Sequence, residues 1–429
     1  MKKLLLIELN EINFNLINKY LHKYPDEFTN LKSLYELNHA NTFSEFNYHE
    51  LEPWIQWVSV HTGKSYEDHK IFRLGDMVNS DLDQIFELVE NNGFNVGVVS
   101  GMNVKNSLKK PSYFIPDPWT DTKTDGTFFS KLLKSVLTQT VNDNSESRIT
   151  AKSIFSILLI FLRYIKVKDY LQFASMAICS FGKSWRKALF LDFFIHKIHL
   201  KLIEEKNPNF STVFLNAGAH IQHHYLFNSE FSNRTNPTWY IGSEYDPFKE
   251  MLHTYEKVAK DYVEMKEYEL IFATGLSQKE YDSPAFYWRL KNHESFLEKL
   301  NINFRKVSPR MTRDFLVEFE NNEDLESCYN SLSLISDGNN EKLFGVIDKR
   351  PNSLFVSLTY PNDINNVNFS GLKKKIVLSD ELVFVAIKNG EHSADGEVFT
   401  TLNISSNNDK RINITEIFNL ICSYFQKTS

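Results

Sequence analysis

The stretch "KKLLLIELNEINFNLINKYLHKY", Lys2–Tyr24, decides the fold class. Its apolar run reads as a strand buried on both faces, and its second half sets Phe14, Ile17 and Leu21 near helical spacing. Two lysines ahead of an apolar run also begin a secretion signal. Here the run stops at Glu8 and no small-residue cleavage site follows, so a buried strand is the better reading. Glu8, Asn10 and Glu11 then fall where the strand ends and the helix begins. Ligands bind at that end of strands in α/β sheets. Asn10 serves equally well as the N-cap of the helix.

The same strand–helix rhythm recurs along the chain. "LDQIFELVENNGFNVGVVSG" (Leu82–Gly101) reads as helix, Asn-Gly stop and short buried strand. "STVFLNA" (Ser211–Ala217) and "YELIFATG" (Tyr268–Gly275) read as buried strands. The amphipathic helix "DPFKEMLHTYEKVAKDYVEMKE" (Asp246–Glu267) lies between them, and "NITEIFNLICSYF" (Asn413–Phe425) closes the chain as a helix. Alternation of this kind predicts an α/β fold with a largely parallel sheet. Between 104 and 206 the rhythm breaks. A Pro-rich loop, "KKPSYFIPDPW" (Lys109–Trp119), leads into long helices that mix Ile, Leu and Phe with Lys and Arg. The expected organisation is a first part of the core at 1–103, a helical cap or insertion at 104–206, and a second part of the core at 207–429. The cap packs on the core, or part of it (154–200) makes peripheral contact with a membrane or a lipid-linked substrate.

Composition narrows the function. The chain has 429 residues, 42% hydrophobic and 24% charged, with 48 Lys and Arg against 54 Asp and Glu. The net charge of −6 gives no support for a nucleic-acid partner. Three widely spaced cysteines, Cys179, Cys328 and Cys422, do not make a disulfide framework, which fits a reducing, cytoplasmic setting. No apolar run reaches the roughly 20 residues that span a bilayer. There is no internal repeat and no Gly-rich phosphate loop.

Chemistry concentrates in "FLNAGAHIQHHY", Phe214–Tyr225, which holds three of the chain's 13 histidines. On a helix, His220 and His224 share one face, a standard pairing for Zn²⁺, and His223 points elsewhere. Histidines bonded to their own surroundings explain the cluster as well. His392 in "NGEHSADG" (Asn389–Gly396), on a Gly-flanked loop after an expected strand, is the best third ligand. "LEPWIQWVSVHTG" (Leu51–Gly63) reads as a helix that starts at Glu52-Pro53 and stops at Gly63; its N-terminus suits an anion, or is simply a packed aromatic start.

Taken in order, these segments resemble the alkaline phosphatase superfamily, in its type I phosphodiesterase/nucleotide pyrophosphatase branch. The carriers are the first strand and turn, "WIQWVSVHTGKSYEDHKIF" (Trp54–Phe72), "NNGFNVGVVSG" (Asn91–Gly101), "NAGAH" (Asn216–His220), "YELIFATGLS" (Tyr268–Ser277) and "NGEHSADG". The resemblance implies an αβα sandwich and two metal ions around a Thr, Ser or Cys nucleophile. The departures are specific. The family's first Asp falls on Asn10, its nucleophile on Pro53, the Asp of its Asp-x-x-Gly-His motif on Asn216, and its Asp-His pair on Thr274 and Gly275. Only His220 and His392 stand at expected ligand positions, so the second metal site has lost its ligands.

What remains predicts at most one metal, Zn²⁺, on His220, His224 and His392. Glu52, Glu8 or Glu11 is the expected general base, with Glu52 first because it abuts the vacated nucleophile position. Asn10, Trp54, Asn216 and Thr274 are the expected substrate contacts. The expected activity is on a phosphoester or phosphodiester, or group transfer from such a donor. The substrate is a small molecule or is lipid-linked, and nucleotide-sugars or lipid-linked glycans of surface-polysaccharide synthesis would suit. The competing expectation is a binding or scaffold protein that kept the fold without the chemistry.

Overall fold

The computed structural model describes residues 2–142, 151–310, 313–365, 367–372, 376–404 and 411–426. In chain order its strands are β1 (Leu4–Leu9), β2 (Asn38–Phe43), β3 (Val96–Gly101), β4 (Tyr113–Pro116), β5 (Phe210–Leu215), β6 (Glu269–Ala273), β7 (Ser277–Leu290), β8 (Lys306–Pro309), β9 (Asp314–Glu318), β10 (Val346–Arg350), β11 (Ser353–Ser357), β12 (Leu382–Ser393), β13 (Asp395–Thr400) and β14 (Arg411–Asn413). Eight of them form the main sheet, in the order β14-β2-β13-β6-β1-β5-β3-β4. Strand β1 is central and pairs in parallel with β5 and β6, while β3 pairs in parallel with β5 and β4. Strand β13 runs antiparallel to both of its neighbours, β6 and β2.

The alternation of β1 explains why this sheet is covered twice. Leu5, Ile7 and Leu9 point into one core, and Leu4 and Leu6 into the other. The same split divides Val213 and Leu215 from Phe210 and Phe214 on β5. Fully burying one such aliphatic side chain is worth about 1.5–3 kcal/mol. Strands apolar on both sides are therefore held only between two helical layers, which gives an αβα sandwich. The first layer includes the helices Phe14–Lys23, Ser184–Lys206 and Pro247–Val263; the second includes Pro53–Thr62, Ile85–Asn91 and Glu416–Phe425. Asn13 caps the first helix, its side chain accepting from Leu16 N at 2.9 Å.

Two compact units divide the chain, and the division differs from the expected segments. Residues 1–139, 150–280 and 389–429 make the first unit. The stretch expected as a helical cap or insertion at 104–206 lies largely within it: β4 is the edge of the main sheet, and Leu133, Ile160, Phe173 and Phe193 join the same core as β1. Residues 281–388 make the second unit, within the stretch 207–429 expected as one part of the core. Its antiparallel sheet has the order β10-β11-β9-β8, and its core is built on Phe315, Val317, Leu354 and Val356. The long strands β7 and β12 pair with each other and carry the chain out of the first unit and back.

Parallel pairing brings the C-terminal ends of β1, β5 and β6 to one edge, with Asn10, Asn216 and Thr274 immediately after them. Because β13 runs the other way, it enters the sheet from that edge, and His392 lies three residues ahead of Asp395. His392 is on β12 rather than on a loop after a core strand.

Candidate metal centre

The turn after β1 is tight. Glu11 takes a left-handed backbone conformation with φ 61°, which costs a non-glycine residue about 1 kcal/mol or more. The turn is held from three sides. Glu11 N donates to Thr274 O at 3.0 Å, Asn10 N donates to Leu215 O at 3.0 Å, and Gln222 Nε2 donates to Glu11 O at 2.8 Å. The result is a buried carboxylate, 1% exposed, aimed out of the sheet edge.

Two imidazoles close on it. His223 Nε2 stands 3.0 Å and His392 Nε2 3.2 Å from Glu11 Oε2, and the two Nε2 atoms are 3.3 Å apart. Gln278 Nε2 donates to the same oxygen at 2.5 Å, and Asn10 Nδ2 donates to Glu11 Oε1 at 3.1 Å. Burial on its own would raise the Glu11 pKa; the charges of His392 and His223 outweigh it and hold the carboxyl well below its ordinary range. Among the described residues, this trio is the one group of His, Cys, Asp and Glu side chains whose ligand atoms converge closely enough to hold an ion. Tetrahedral Zn²⁺ with bonds of about 2.0–2.1 Å sets its ligands about 3.3 Å apart, and 3.0, 3.2 and 3.3 Å form one face of such a tetrahedron.

The helix Ala217–Tyr225 carries the histidines, and its phase is set by close packing. A Cβ at Gly218 would come within 1.9 Å of Ile12 Cδ1, so that face lies flush on the β1 turn. Gln222, one turn on, reaches Glu11, and His223 next to it meets Glu11 and His392. His220 and His224 do share a face, with ring centroids 5.0 Å apart, but that face turns toward Tyr225, whose ring centroid is 6.0 Å from His220. Burial, and next the charge of His223, lower the His220 pKa to about 4. The ligand atoms that converge are those of Glu11, His223 and His392, not those of the expected set of His220, His224 and His392. Only His392 is common to the two, and His223, which helical spacing turns away from His220 and His224, is the second imidazole beside Glu11. The clue available in the sequence was the small residue Gly218, which marks the helix face that approaches β1.

Four other expected residues fall in four different places. Glu52, the N-cap residue of the helix Pro53–Thr62, holds Oε2 3.7 Å from His392 Nδ1, so it borders the trio. Glu8 does not reach the site. Strand alternation turns it to the face of Leu4 and Leu6, fully buried, with His61 Nε2 at 3.1 Å and a bond from the Thr212 hydroxyl. Trp54 is tied elsewhere, donating from Nε1 to Phe72 O at 3.1 Å. Thr274 accepts at its hydroxyl from Glu397 N at 2.9 Å and joins β6 to β13.

Asn10 and Asn216 bear on the two-metal expectation. Asn10 Nδ2 donates to Asn216 Oδ1 at 2.8 Å, and Asn10 Oδ1 accepts from Trp57 Nε1 at 2.7 Å. A hydrogen bond joins two amides where the resembled family has two carboxylates, and no charge is left there to hold a second cation. Pro53, at the nucleophile position, opens its helix without a reactive side chain. The residues fit one ion at Glu11, His223 and His392 and do not fit the pair.

No family model matches the sequence, and no curated protein does. Solved structures do match. Phosphonoacetate hydrolase from Sinorhizobium meliloti 1021, in complex with phosphonoacetate, is 11% identical, with a TM-score of 0.43 over 99% of this chain and 96% of that one. Human ectonucleotide pyrophosphatase/phosphodiesterase 5 is 10% identical, with a TM-score of 0.41 over 100% and 96%. Alkaline phosphatase from the Antarctic bacterium TAB5 is 12% identical, with a TM-score of 0.39 over 99% of both chains. Each of these alignments spans nearly the whole of this chain.

Proposed function

We propose that this chain is a single-metal enzyme acting on a phosphoester or phosphodiester, with the ion held by Glu11, His223 and His392. The observation that carries the reading is the triangle of ligand atoms with edges of 3.0, 3.2 and 3.3 Å, built on a buried carboxylate. The class of substrate follows from the resemblance of the motifs in their order along the chain. A divalent ion in this position supplies Lewis acidity toward a phosphoryl oxygen. Glu11 brings the charge that retains it, and Gln278 and Asn10 hold that carboxylate in place. Glu52 fixes the outer nitrogen of His392 and is the general base nearest the trio. Pro53 excludes a covalent phospho-enzyme at the position where the family forms one, so water or an acceptor hydroxyl is the direct nucleophile. Nucleotide-sugars and lipid-linked glycans of surface-polysaccharide synthesis are the substrates we would try first.

The amide pair Asn10–Asn216 favours a second reading, a binding protein that kept the fold and gave up hydrolysis. One experiment separates the two. Protein purified without a His tag is assayed for bound metal and for hydrolysis of bis(4-nitrophenyl) phosphate, alongside His223→Ala. One ion per chain and a rate, both lost in the variant, support the enzyme. An ion without any rate supports the binding protein, and absence of both overturns the metal centre.

A further inference from the structure

The helices Ala151–Tyr164 and Tyr170–Cys179 pack one side on the main core, through Ile160, Tyr164 and Phe173. The side turned to solvent would ordinarily be polar. Here it carries Phe155, Leu158 and Leu162 at helical spacing on the first helix, 60%, 49% and 58% exposed. Beyond it stand Val167, Leu171, Ile178 and Phe181, the last at 90% exposure. Seven water-facing apolar side chains on two neighbouring helices and the turns that flank them are more than a soluble surface ordinarily carries. Neither helix is long and apolar enough to cross a membrane.

Charge says what covers it. Between 154 and 187 the chain has Arg163, Lys166, Lys168, Lys183, Arg186 and Lys187 against Asp169 alone, on a protein whose net charge is −6. Glu205 and Glu250 engage the two arginines. Lys168, next to the exposed Val167, and Lys187 stay in solvent. A symmetric contact between two copies would set like charges against each other. An anionic lipid surface takes both features at once, the apolar side chains among its acyl chains and the lysines at its headgroups.

We propose that this patch docks the protein on the surface of bilayers containing anionic lipid, lying on the membrane without crossing it. The inference is independent of the metal centre, because binding is read without catalysis. The patch nevertheless adjoins the site through one helix. In Ser184–Lys206, Ser184 bonds the Tyr225 hydroxyl, and Asp192 accepts from Ala217 N at 2.7 Å, at the start of the helix that bears His223.

The test is co-sedimentation of the full chain with phosphatidylcholine vesicles, with and without phosphatidylglycerol, beside Leu171→Asp/Ile178→Asp and Lys168→Glu/Lys187→Glu. Both pairs lie on the surface, and circular dichroism checks that the variants fold. Wild type should sediment with the anionic vesicles, and the Asp pair should bind at least about tenfold more weakly. The Glu pair should bind more weakly at low salt, with the difference shrinking as salt screens it. No binding to anionic vesicles, or equal binding by wild type and the Asp pair, overturns the proposal. A dimer in solution that the Asp pair dissociates, without vesicle binding, overturns it in favour of contact between copies.

Discussion

The Nε2 atoms of His223 and His392 face each other at 3.3 Å, both within 3.2 Å of one oxygen of Glu11. Two neutral imidazoles in that position can make one hydrogen bond between them, whereas a cation is bonded by both lone pairs at once. His223→Ala and His392→Ala should each weaken Zn²⁺ binding by more than about 100-fold, beyond what loss of an outer partner costs. His220→Ala should leave one ion per chain, because its ring belongs to the neighbouring His224–Tyr225 cluster. Titration calorimetry after chelation decides this, and loss of the ion in the His220 variant would restore the helical-pair ligand set.

Glu52 acts on the trio at one remove. Its Oε2 lies 3.7 Å from His392 Nδ1, the nitrogen opposite the one that points at Glu11. A carboxylate that closes from there to hydrogen-bond distance would hold the ring in the tautomer that leaves Nε2 free to bind metal. Glu52→Gln should lower Zn²⁺ affinity by about 10–100-fold while one ion per chain still binds at saturation. If affinity is unchanged and only the hydrolytic rate falls, Glu52 is a base and not an orienting group.

The parts of the fold legible in the sequence were those where burial on both faces leaves an unbroken apolar run. Strands β1, β3, β5 and β6 are of that kind. Strand β2, "NHANTF", has alternating exposure and no apolar run to mark it. The second unit was missed for the same reason, since strands such as "KVSP" and "VIDKR" carry polar residues throughout. In the site, the strand-end rule pointed to Glu8, Asn10 and Glu11, the resemblance pointed to Asn216, and the position after an expected strand, with the motif order, pointed to His392. Helical spacing paired His220 with His224 correctly, yet spacing cannot say which face meets the β1 turn. That depends on Gly218 lying against Ile12, a tertiary contact.

The helix bearing His223 is pinned by a buried carboxylate with its own pH signature. Asp192 accepts from Asn216 N at 3.1 Å, Ala217 N at 2.7 Å and the Tyr255 hydroxyl at 2.7 Å. Burial still raises its pKa from 3.8 to about 6, these hydrogen bonds opposing it. The folded state therefore binds this proton more tightly than the unfolded state does. The contribution to stability is full below pH 3.8 and is lost as pH rises through about 6, worth about 3 kcal/mol at most. The stability of wild type relative to Asp192→Asn should fall between pH 4 and pH 7, as followed by denaturant midpoints. A difference that stays constant across that range would mean Asp192 titrates normally. Asp117, raised to about 6 by burial in the same way, is unaltered in the variant and cancels from the comparison.

The amide pair gives the sharpest test of how this site departs from a two-metal one. Asn10 Nδ2 donates to Asn216 Oδ1 at 2.8 Å and to Glu11 Oε1 at 3.1 Å. Asn10→Asp removes both donations and sets a second carboxylate beside one that is already buried. The expected loss is about 1–3 kcal/mol in chelator, from unpaired buried acceptors alone. Asn10→Asp/Asn216→Asp should lose more, because like charges then face each other directly. If the geometry of a second cation site survives beneath the hydrogen bond, Zn²⁺ or Mn²⁺ should return the double variant toward wild-type stability and raise the bound metal above one ion per chain. The gain follows the excess of free ion over its dissociation constant, about 2.7 kcal/mol at a hundredfold excess. Destabilisation without recovery would show that Asn10 and Asn216 have closed the second site in geometry as well as in charge. Single-metal chemistry would then be the only kind this edge of the sheet can support.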